Sequence, residues 1–458
     1  MTATPGLMLC YCTDVEGNID YFNRYVALSE GLFFDADGSL DLHHGYIFVF
    51  GGDAGDKGLG TLRMYRLLVD LKTKYPDRVV LIAGNRDVNK MRFTSELTEE
   101  ELDLATMSPD LVDGPLWVPS NHRVSVVDFL CRNVLKRPRD DVTPAELAAV
   151  NTKINRVKWM LTHTMGSDGD FERRRTELGG DTVSDDAVVE SFEASVTTGG
   201  LLRQYLQLCV LGFVHGTTLF VHGGIMNKDG LGCLGFVPSA TTMNLEEPIR
   251  HWIARLNAWY DAQLAEWSTH PTWTPGHGMR GGEALQNYGL SNATHSVING
   301  RHLHPSGMPR LLPDAMVATL WDQGIRRVVM GHTPHGIAPT VVKQPAPSGG
   351  VFESIMCDTS YSDTSKSDNR GNCVSALVID GDRVTLRGYI HTAAIQEDFE
   401  FATSDEEYVG YQLPHNGPWI KLRTNDGAYL ICTVSGGFTY KYEEMDAAAV
   451  AKAMASHI

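Results

Sequence analysis

Short apolar runs that stop abruptly at a polar or glycine-rich turn set the rhythm of this chain. Leu7 to Thr13 (LMLCYCT) is almost wholly apolar until Asp14, as expected of a buried strand that presents a carboxylate at its end. Asp14-Val15-Glu16-Gly17-Asn18 then leads into a helix expected to reach about Ser29. Gly31 to Asp41 contains an Asp-Ala-Asp-Gly turn and predicts a hairpin, and Tyr46 to Phe50 (YIFVF) predicts the second buried strand. Leu62, Tyr65, Leu68 and Leu71 recur at helical spacing, and Val79 to Ala83 is the third strand, ending at Gly84-Asn85. Strand, polar residue, helix, strand, polar residue is an α/β order that puts functional loops at strand ends.

From Ser95 to Gly200 the pattern turns helical and charged, with helices expected at Pro144 to Met165, Asp170 to Leu178 and Asp185 to Ser195; it reads as an inserted helical cap. Strand character returns at Leu208 to Val214 and Thr217 to Val221, and the second run ends at His222-Gly223-Gly224. Glu247 to Trp267 predicts the helix of a second insertion, with Ile249, Trp252, Leu256, Trp259 and Trp267 among the residues of a packing face rather than a stacking platform. His270 to Pro313 reads as loop, and Arg326 to Met330 is a strand that delivers Gly331-His332-Thr333-Pro334-His335. Phe352 to Cys357, Cys373 to Ile379 and Arg383 to Ile390 close the β pattern. An acidic linker is expected from Gln396 to Glu407, then short β runs from Trp419 to Tyr442 and an Ala-rich helix. The implied division is a core in three parts (1–95, 201–240 and 313–395), a helical cap (96–200), a second insertion (241–312) and a C-terminal β appendage with its helix (396–458).

Composition narrows the function classes. The 458 residues exceed one average domain, and the formal charge of −17 disfavours a broad nucleic-acid duplex or membrane-surface footprint, although a local basic pocket stays possible. The eight cysteines form no CxxC pair, which favours a reducing compartment. With no secretory n-region and no span long enough for a bilayer, a cytoplasmic protein is the expectation; the oligomeric state is not legible.

The candidate chemistry lies where the apolar runs stop. Asp14 and Glu16 are two residues apart at a strand end and can share one metal ion. Asp53 can bridge two ions, and Asn85, His222 and His332 can complete the second. Each alone has an ordinary use: Asp53 and Asp56 as turn residues, Asn85 as a left-handed residue after Gly84, a histidine as a core group. Their joint placement, each just after a strand run, favours a dinuclear metallohydrolase that activates water and screens a phosphoryl group.

In order, DVEGN, GGDAGDKG, GNRD, VHGG and GHTPH resemble the five motifs of the calcineurin-like metallophosphoesterases. The VHGG and GHTP forms most resemble phosphoprotein phosphatases and the bacterial diadenosine-tetraphosphatase group, as do MCDTSYS and the hairpin VSALVIDGDRVTLRGYI. The resemblance covers about half of the chain and implies a central β-sandwich flanked by helices, a four-layer α/β fold, with a bimetallic centre at the strand ends. It implies metal positions at Asp14, Asp53, Asn85, His222 and His332, and hydrolysis of a phosphoester or phosphoanhydride.

Three departures from the family pattern stand out. Glu16 replaces the histidine of Asp-x-His, an anionic donor that favours harder ions such as manganese, ferric iron or magnesium. Arg86 replaces the histidine that protonates the leaving group; it stays charged, can clamp a phosphoryl oxygen, and is expected to pair with Asp56. His335 is then the candidate acid, with an ordinary loop histidine as its alternative, and Asp87 stands where a glutamate is usual. Lys57 replaces a phosphate-gripping arginine and offers a point charge. Arg173, Arg174 and Arg175 are flanked by Glu172 and Glu177, the pattern of a solvated helix face, and His163 reads as structural.

The resulting expectation is a cytoplasmic phosphoesterase with two divalent or mixed-valence ions (manganese, iron or zinc, with magnesium possible) acting on a small phosphorylated molecule or phosphoanhydride. Its alternatives are a serine/threonine-type protein phosphatase, a catalytically altered binding protein, and a bimetallic enzyme with a non-phosphate substrate.

Overall fold

The computed structural model describes residues 6–455 except 109–110, 112–113, 115–117, 119, 228, 231, 241–242, 245, 291–294, 360–371, 393–394 and 437–438, so the end of the MCDTSYS motif lies outside the described residues. The first strands are β1 (Met8–Cys12), the small hairpin β2 (Leu32–Phe34) and β3 (Leu40–Leu42), then β4 (Tyr46–Phe50) and β5 (Val79–Ile82). After the helical insertion come β6 (Cys209–Val210), β7 (Gly212–His215) and β8 (Thr218–Val221). The third core part supplies β9 (Arg327–Met330), β10 (Thr340–Pro345), β11 (Val351–Met356), β12 (Cys373–Asp380), β13 (Arg383–His391) and β14 (Gln396–Ala402).

These strands make two mixed sheets. One has seven strands in the order β14-β13-β12-β1-β4-β5-β6, and the other five in the order β10-β11-β9-β8-β7. In the first, β1, β4, β5 and β6 run parallel; in the second, β8, β9 and β11 do. Period-2 alternation explains how both faces of the larger sheet are covered. Leu9, Tyr11, Ile47, Val49, Val80 and Ile82 point inward and share one core with Phe220, Val329, Val341 and Ile355 of the smaller sheet. Cys10, Cys12, Phe48, Phe50 and Leu81 point the other way, into a second core with Tyr21, Tyr25, Met64 and Leu68 of the flanking helices. Each large side chain buried this way contributes about 1.5–3 kcal/mol. The eight cysteines are all buried and carry no disulfide. Among the described residues no helix is long and apolar enough to cross a membrane.

One buried carboxylate ties both insertions to the core. Buried Glu96 receives Arg92 through both oxygens (2.7 and 2.8 Å) and Arg280 of the second insertion (2.7 Å), while Arg92 also reaches Thr164 (3.0 Å). The helix expected over Pro144 to Met165 breaks instead at Asn151. Thr152 caps a new helix by accepting from Asn155 N, and the Asn151 amide turns away to Leu102 O at 2.6 Å.

Gln396–Ala402 forms an edge strand of the core sheet rather than a linker, because Phe399 and Phe401 alternate with the acidic residues and are buried. The appendage proper is a three-stranded antiparallel sheet, β15 (Trp419–Arg423), β16 (Tyr429–Gly436) and β17 (Thr439–Met445), followed by the Ala447–Ala455 helix.

Candidate metal centre

Five parallel strands end at one place. β1, β4 and β5 of the larger sheet release Asp14, Asp53 and Asn85, and β8 and β9 of the smaller release His222 and His332. Backbone bonds stitch these loops together: Asp14 N to Gly52 O (2.9 Å), Glu16 N to Asp53 O (2.9 Å) and Gly331 N to His222 O (2.8 Å). Gly84 and Gly331 are required by this closeness, since a Cβ on the first would overlap Asp53 Oδ1 and on the second Asp14 Oδ2.

The backbone is strained where the candidate ligands are. Among the described residues ten non-glycine positions have positive φ, and Asp14 (51°), Glu16 (49°), Asp53 (55°), Asp56 (147°) and His332 (66°) are half of them. Such conformations cost about 1–3 kcal/mol each and persist only where surrounding structure enforces them, which marks this ridge as functional.

One half of the centre gathers electron-rich atoms. Asp53, His222 and His332 bring one donor atom each within 4.8 Å of one another. His222 Nε2 lies 3.2 Å from Asn85 Oδ1 and 3.5 Å from Asp53 Oδ1, and His332 Nδ1 lies 2.8 Å from the same Asn85 oxygen. The other His222 nitrogen, Nδ1, sits 2.8 Å from Gly51 O; donating there leaves the Nε2 lone pair aimed at Asp53 and Asn85. Lone pairs so arranged call for a cation, and the mixed oxygen and nitrogen set suits manganese, iron or zinc. The electrostatics show the same demand for positive charge, which a proton on His222 Nε2 meets where no metal ion competes for it. Burial works against charge on His222, but Asp53 and Asp14 outweigh it and push its pKa up to about 10. Burial lifts the Asp14 carboxyl well above its ordinary range, with Asp358 and Asp53 adding to the effect. Asp14 accepts from His332 N (3.1 and 3.0 Å) and from Thr13 Oγ1 (2.5 Å).

The other half is already ion-paired. Arg86 Nε reaches Glu16 Oε1 at 2.6 Å and lies 3.6 Å from Asp53 Oδ2, while its Nη1 reaches Asp56 Oδ2 at 2.6 Å. Lys90 Nζ takes Asp56 Oδ1 at 2.9 Å, and Lys57 Nζ stands 3.5 Å from Glu16 Oε2. Burial opposes charge on Asp56, but Lys90 and Arg86 overcome it and hold the carboxyl far below its ordinary range. The Asp56 to Arg86 pair expected from the sequence is therefore present.

His335 is not brought into this cluster. Its ring is buried, with Nδ1 3.1 Å from Thr340 Oγ1 and an edge contact to Tyr440, and burial holds its pKa well below the ordinary value. A histidine kept neutral in this way is a poor general acid near neutral pH. Arg173, Arg174 and Arg175 stay within the cap, on Asp168 and Asp170, on Ser191, and on Glu172 and Asp185. His163 packs on Phe129.

Three further residues shape the site. Asp87 frames the ridge: its carboxylate accepts from Asp53 N (2.9 Å), Gly84 N (3.0 Å), Ala54 N (3.2 Å) and Tyr65 OH (2.8 Å), and burial with the Asp53 charge lifts its pKa to about 7. Lys90 sits four residues after Arg86, a spacing that could have been read from the sequence as one helix face. Arg301 lies close enough to lower the pKa of His332, with its own charge disfavoured by burial.

No protein-family model matches the chain. A stretch of 65 residues is 46% identical to the serine/threonine-protein phosphatase sitA of Aspergillus fumigatus; it covers 14% of this chain and only 17% of that protein's length. Among solved structures, a cold-active protein-tyrosine phosphatase of a psychrophilic Shewanella species aligns over 86% of this chain and 80% of its own, with 14% identity and a TM-score of 0.38. A protein serine/threonine phosphatase from Saccharomyces cerevisiae aligns over 85% and 81%, with 10% identity and a TM-score of 0.36. A metallophosphoesterase from Sphaerobacter thermophilus aligns over 85% and 90%, with 11% identity and a TM-score of 0.28. By its own topology the chain is an α/β fold in which two mixed sheets carry all five motif loops to a common ridge, the arrangement that the motif resemblance implies.

Proposed function

We propose that this chain is a metal-dependent phosphoesterase that hydrolyses a small phosphorylated molecule or a phosphoanhydride. The observation that carries the reading is the convergence of Asp53, Asn85, His222 and His332 on strained loops beside an arginine. A metal ion held by these residues would supply an activated water and charge neutralisation for the phosphoryl group.

The chain's own residues supply the rest. Arg86 keeps 18% of its side chain exposed while pinned by Asp56 and Glu16, so its position is fixed before a phosphoryl oxygen arrives. Lys57, with 24% exposed, and Arg301 add positive charge near the same ridge. Arg86 donates hydrogen bonds but gives up no proton near neutral pH, which favours substrates whose leaving group needs little protonation. Gly166 and Ser167 of the cap lie against Arg86 and Lys90 (3.4 Å each), narrowing the approach and favouring a small substrate.

The Aspergillus match supports a second reading, in which the substrate is a phosphoprotein. One assay separates them: turnover of an aryl phosphomonoester, an aryl phosphodiester and a phosphoserine peptide by metal-stripped protein resupplied with manganese, iron, zinc or magnesium, with Asp53→Asn as the blank. Metal-dependent turnover of the aryl esters above the peptide is the expected result. Preference for the peptide favours the second reading, and no turnover with any metal in folded, ion-loaded protein sinks both.

A further inference from the structure

Resting on the metallophosphoesterase reading above, we infer that the centre takes one metal ion, and that the Arg86 guanidinium occupies the place of a second. The family resemblance implies two ions, so the donors can be divided between two sites and each tested for fit. Asp53 Oδ1, Asn85 Oδ1, His222 Nε2 and His332 Nδ1 form one set, linked by contacts of 2.8, 3.2 and 3.5 Å. What remains for a second ion is Asp14, Glu16 and the other oxygen of Asp53.

That second set is engaged. Arg86 Nε stands between Glu16 Oε1 (2.6 Å) and Asp53 Oδ2 (3.6 Å), the two carboxylate oxygens that would share the ion. Glu16 Oε2 faces Lys57, and the Asp14 oxygens accept from His332 N and Thr13 Oγ1. Arg86 is also held from both ends. Nη1 is paired with fully buried Asp56, and the Arg86 backbone N donates to Asp53 Oδ1 at 2.9 Å.

Charge balance gives the same result. Within the ion pairs Glu16, Asp53 and Asp56 face Arg86, Lys90 and Lys57, three carboxylates against three cations, and Asp14 alone of the second set stays outside them, on His332 N and Thr13 Oγ1. A divalent ion entering here would meet permanent positive charge at contact distance, and arginine cannot deprotonate to admit it. The exchange of histidine for Glu16 and of histidine for Arg86 then reads as one change. An anion replaces a neutral ligand, and an organic cation replaces the ion it would have bound.

The test counts ions. Protein loaded with manganese and desalted is measured by elemental analysis and by electron paramagnetic resonance, which separates an isolated ion from a spin-coupled pair. One manganese per chain with an isolated-ion spectrum is expected for the native chain. The double variant Glu16→His with Arg86→His, checked for folding by circular dichroism, is expected to take up a second ion and show coupling. Two coupled ions in the native chain would overturn the inference and leave the phosphoesterase reading standing. A folded double variant that stays at one ion would also overturn it. A folded native chain that binds none would overturn both.

Discussion

Around Asn85 the chain collects two ring nitrogens and an amide oxygen with one shared carboxylate, whereas one residue further on, around Arg86, it collects ion pairs. The two halves also lean on different additions to the core. The ion-paired half touches the helical insertion, through Gly166 on Arg86 and Ser167 on Lys90. The loop that carries His332 leans on the C-terminal sheet: Lys421 donates to His335 O, Ala338 O (2.6 Å) and Thr340 Oγ1, and Tyr442 OH accepts from Ile337 N (2.8 Å). Neutral donors need an external cation and a rigid frame to keep lone pairs converged. Ion pairs bring their own cation and need only be kept dry. The appendage thus gains a physical role, that of a brace behind the loop proposed to hold the metal.

Asp53 belongs to both halves, so changing it has the largest expected effect. Asp53→Asn removes a charge that His222 and Arg86 both face, and should empty the metal site. Aryl phosphate turnover should fall about 10³-fold or more, the equivalent of the several kcal/mol a bound ion supplies. An Asp53→Asn variant that keeps its ion and its turnover would break the comparison, because the halves would then not be joined through this carboxylate.

Next comes Lys90→Met, confined to the ion-paired half. Asp56 would keep Arg86 but lose the partner of its other oxygen, inside a site where Asp56 has no exposure. A destabilisation of about 1–3 kcal/mol is expected from a buried charge left half-satisfied, read as a lower midpoint in urea. Manganese content should stay unchanged. Loss of the ion together with stability would show that the halves are one network.

Lys421→Met acts on the opposite half from behind. It takes the ammonium from His335 O, Ala338 O and Thr340 Oγ1, of which His335 O and Thr340 Oγ1 keep their bond to each other, and loosens the loop that places His332, so metal affinity should weaken roughly tenfold, at the low end for residues that orient ligands indirectly. Competition with a chelator measures it. Unchanged affinity would reduce the C-terminal sheet to a passenger.

Much of this half-and-half centre could be read from the chain. The convergence of Asp14, Asp53, Asn85, His222 and His332 was legible because each lies within three residues of the end of an apolar strand, and parallel strands deliver the loops that follow them to one end of the sheet. Arg301 was not, since it lies in an irregular stretch that is anchored to Met226 by a backbone bond and has no period to read. His335 shows the limit of spacing arguments. Three residues from His332 it is near the site, but the turn through His332 (φ 66°) and Gly336 (φ 77°) sends its ring to Thr340 and Tyr440. The brace by Lys421 and Tyr442 joins residues about a hundred positions or fewer apart on separate sheets, and local pattern carries no information on such contacts. The edge strand at Gln396–Ala402 was hidden by its acidic residues, although its alternating phenylalanines were there to be counted.

The smallest effect concerns the charge of the brace. Burial pushes the Lys421 pKa down to about 8, with Cys432 and Cys373 pulling slightly the other way. In the unfolded chain a lysine titrates near 10.4. Below the folded value both states carry the proton, and the buried ammonium makes its full unfavourable contribution. Between the two values the unfolded state binds a proton that the folded state lacks, so stability rises with pH through this window. The gain should be absent from Lys421→Met. Melting temperatures of the two proteins, compared from about pH 7.5 to about pH 9.5, should therefore diverge, with the native chain gaining on the variant as pH rises. A constant difference across that range would mean that the oxygens of His335, Ala338 and Thr340 keep the ammonium charged. The brace would then be an ionic clamp, closer in kind to the Arg86 half than to the neutral one it supports.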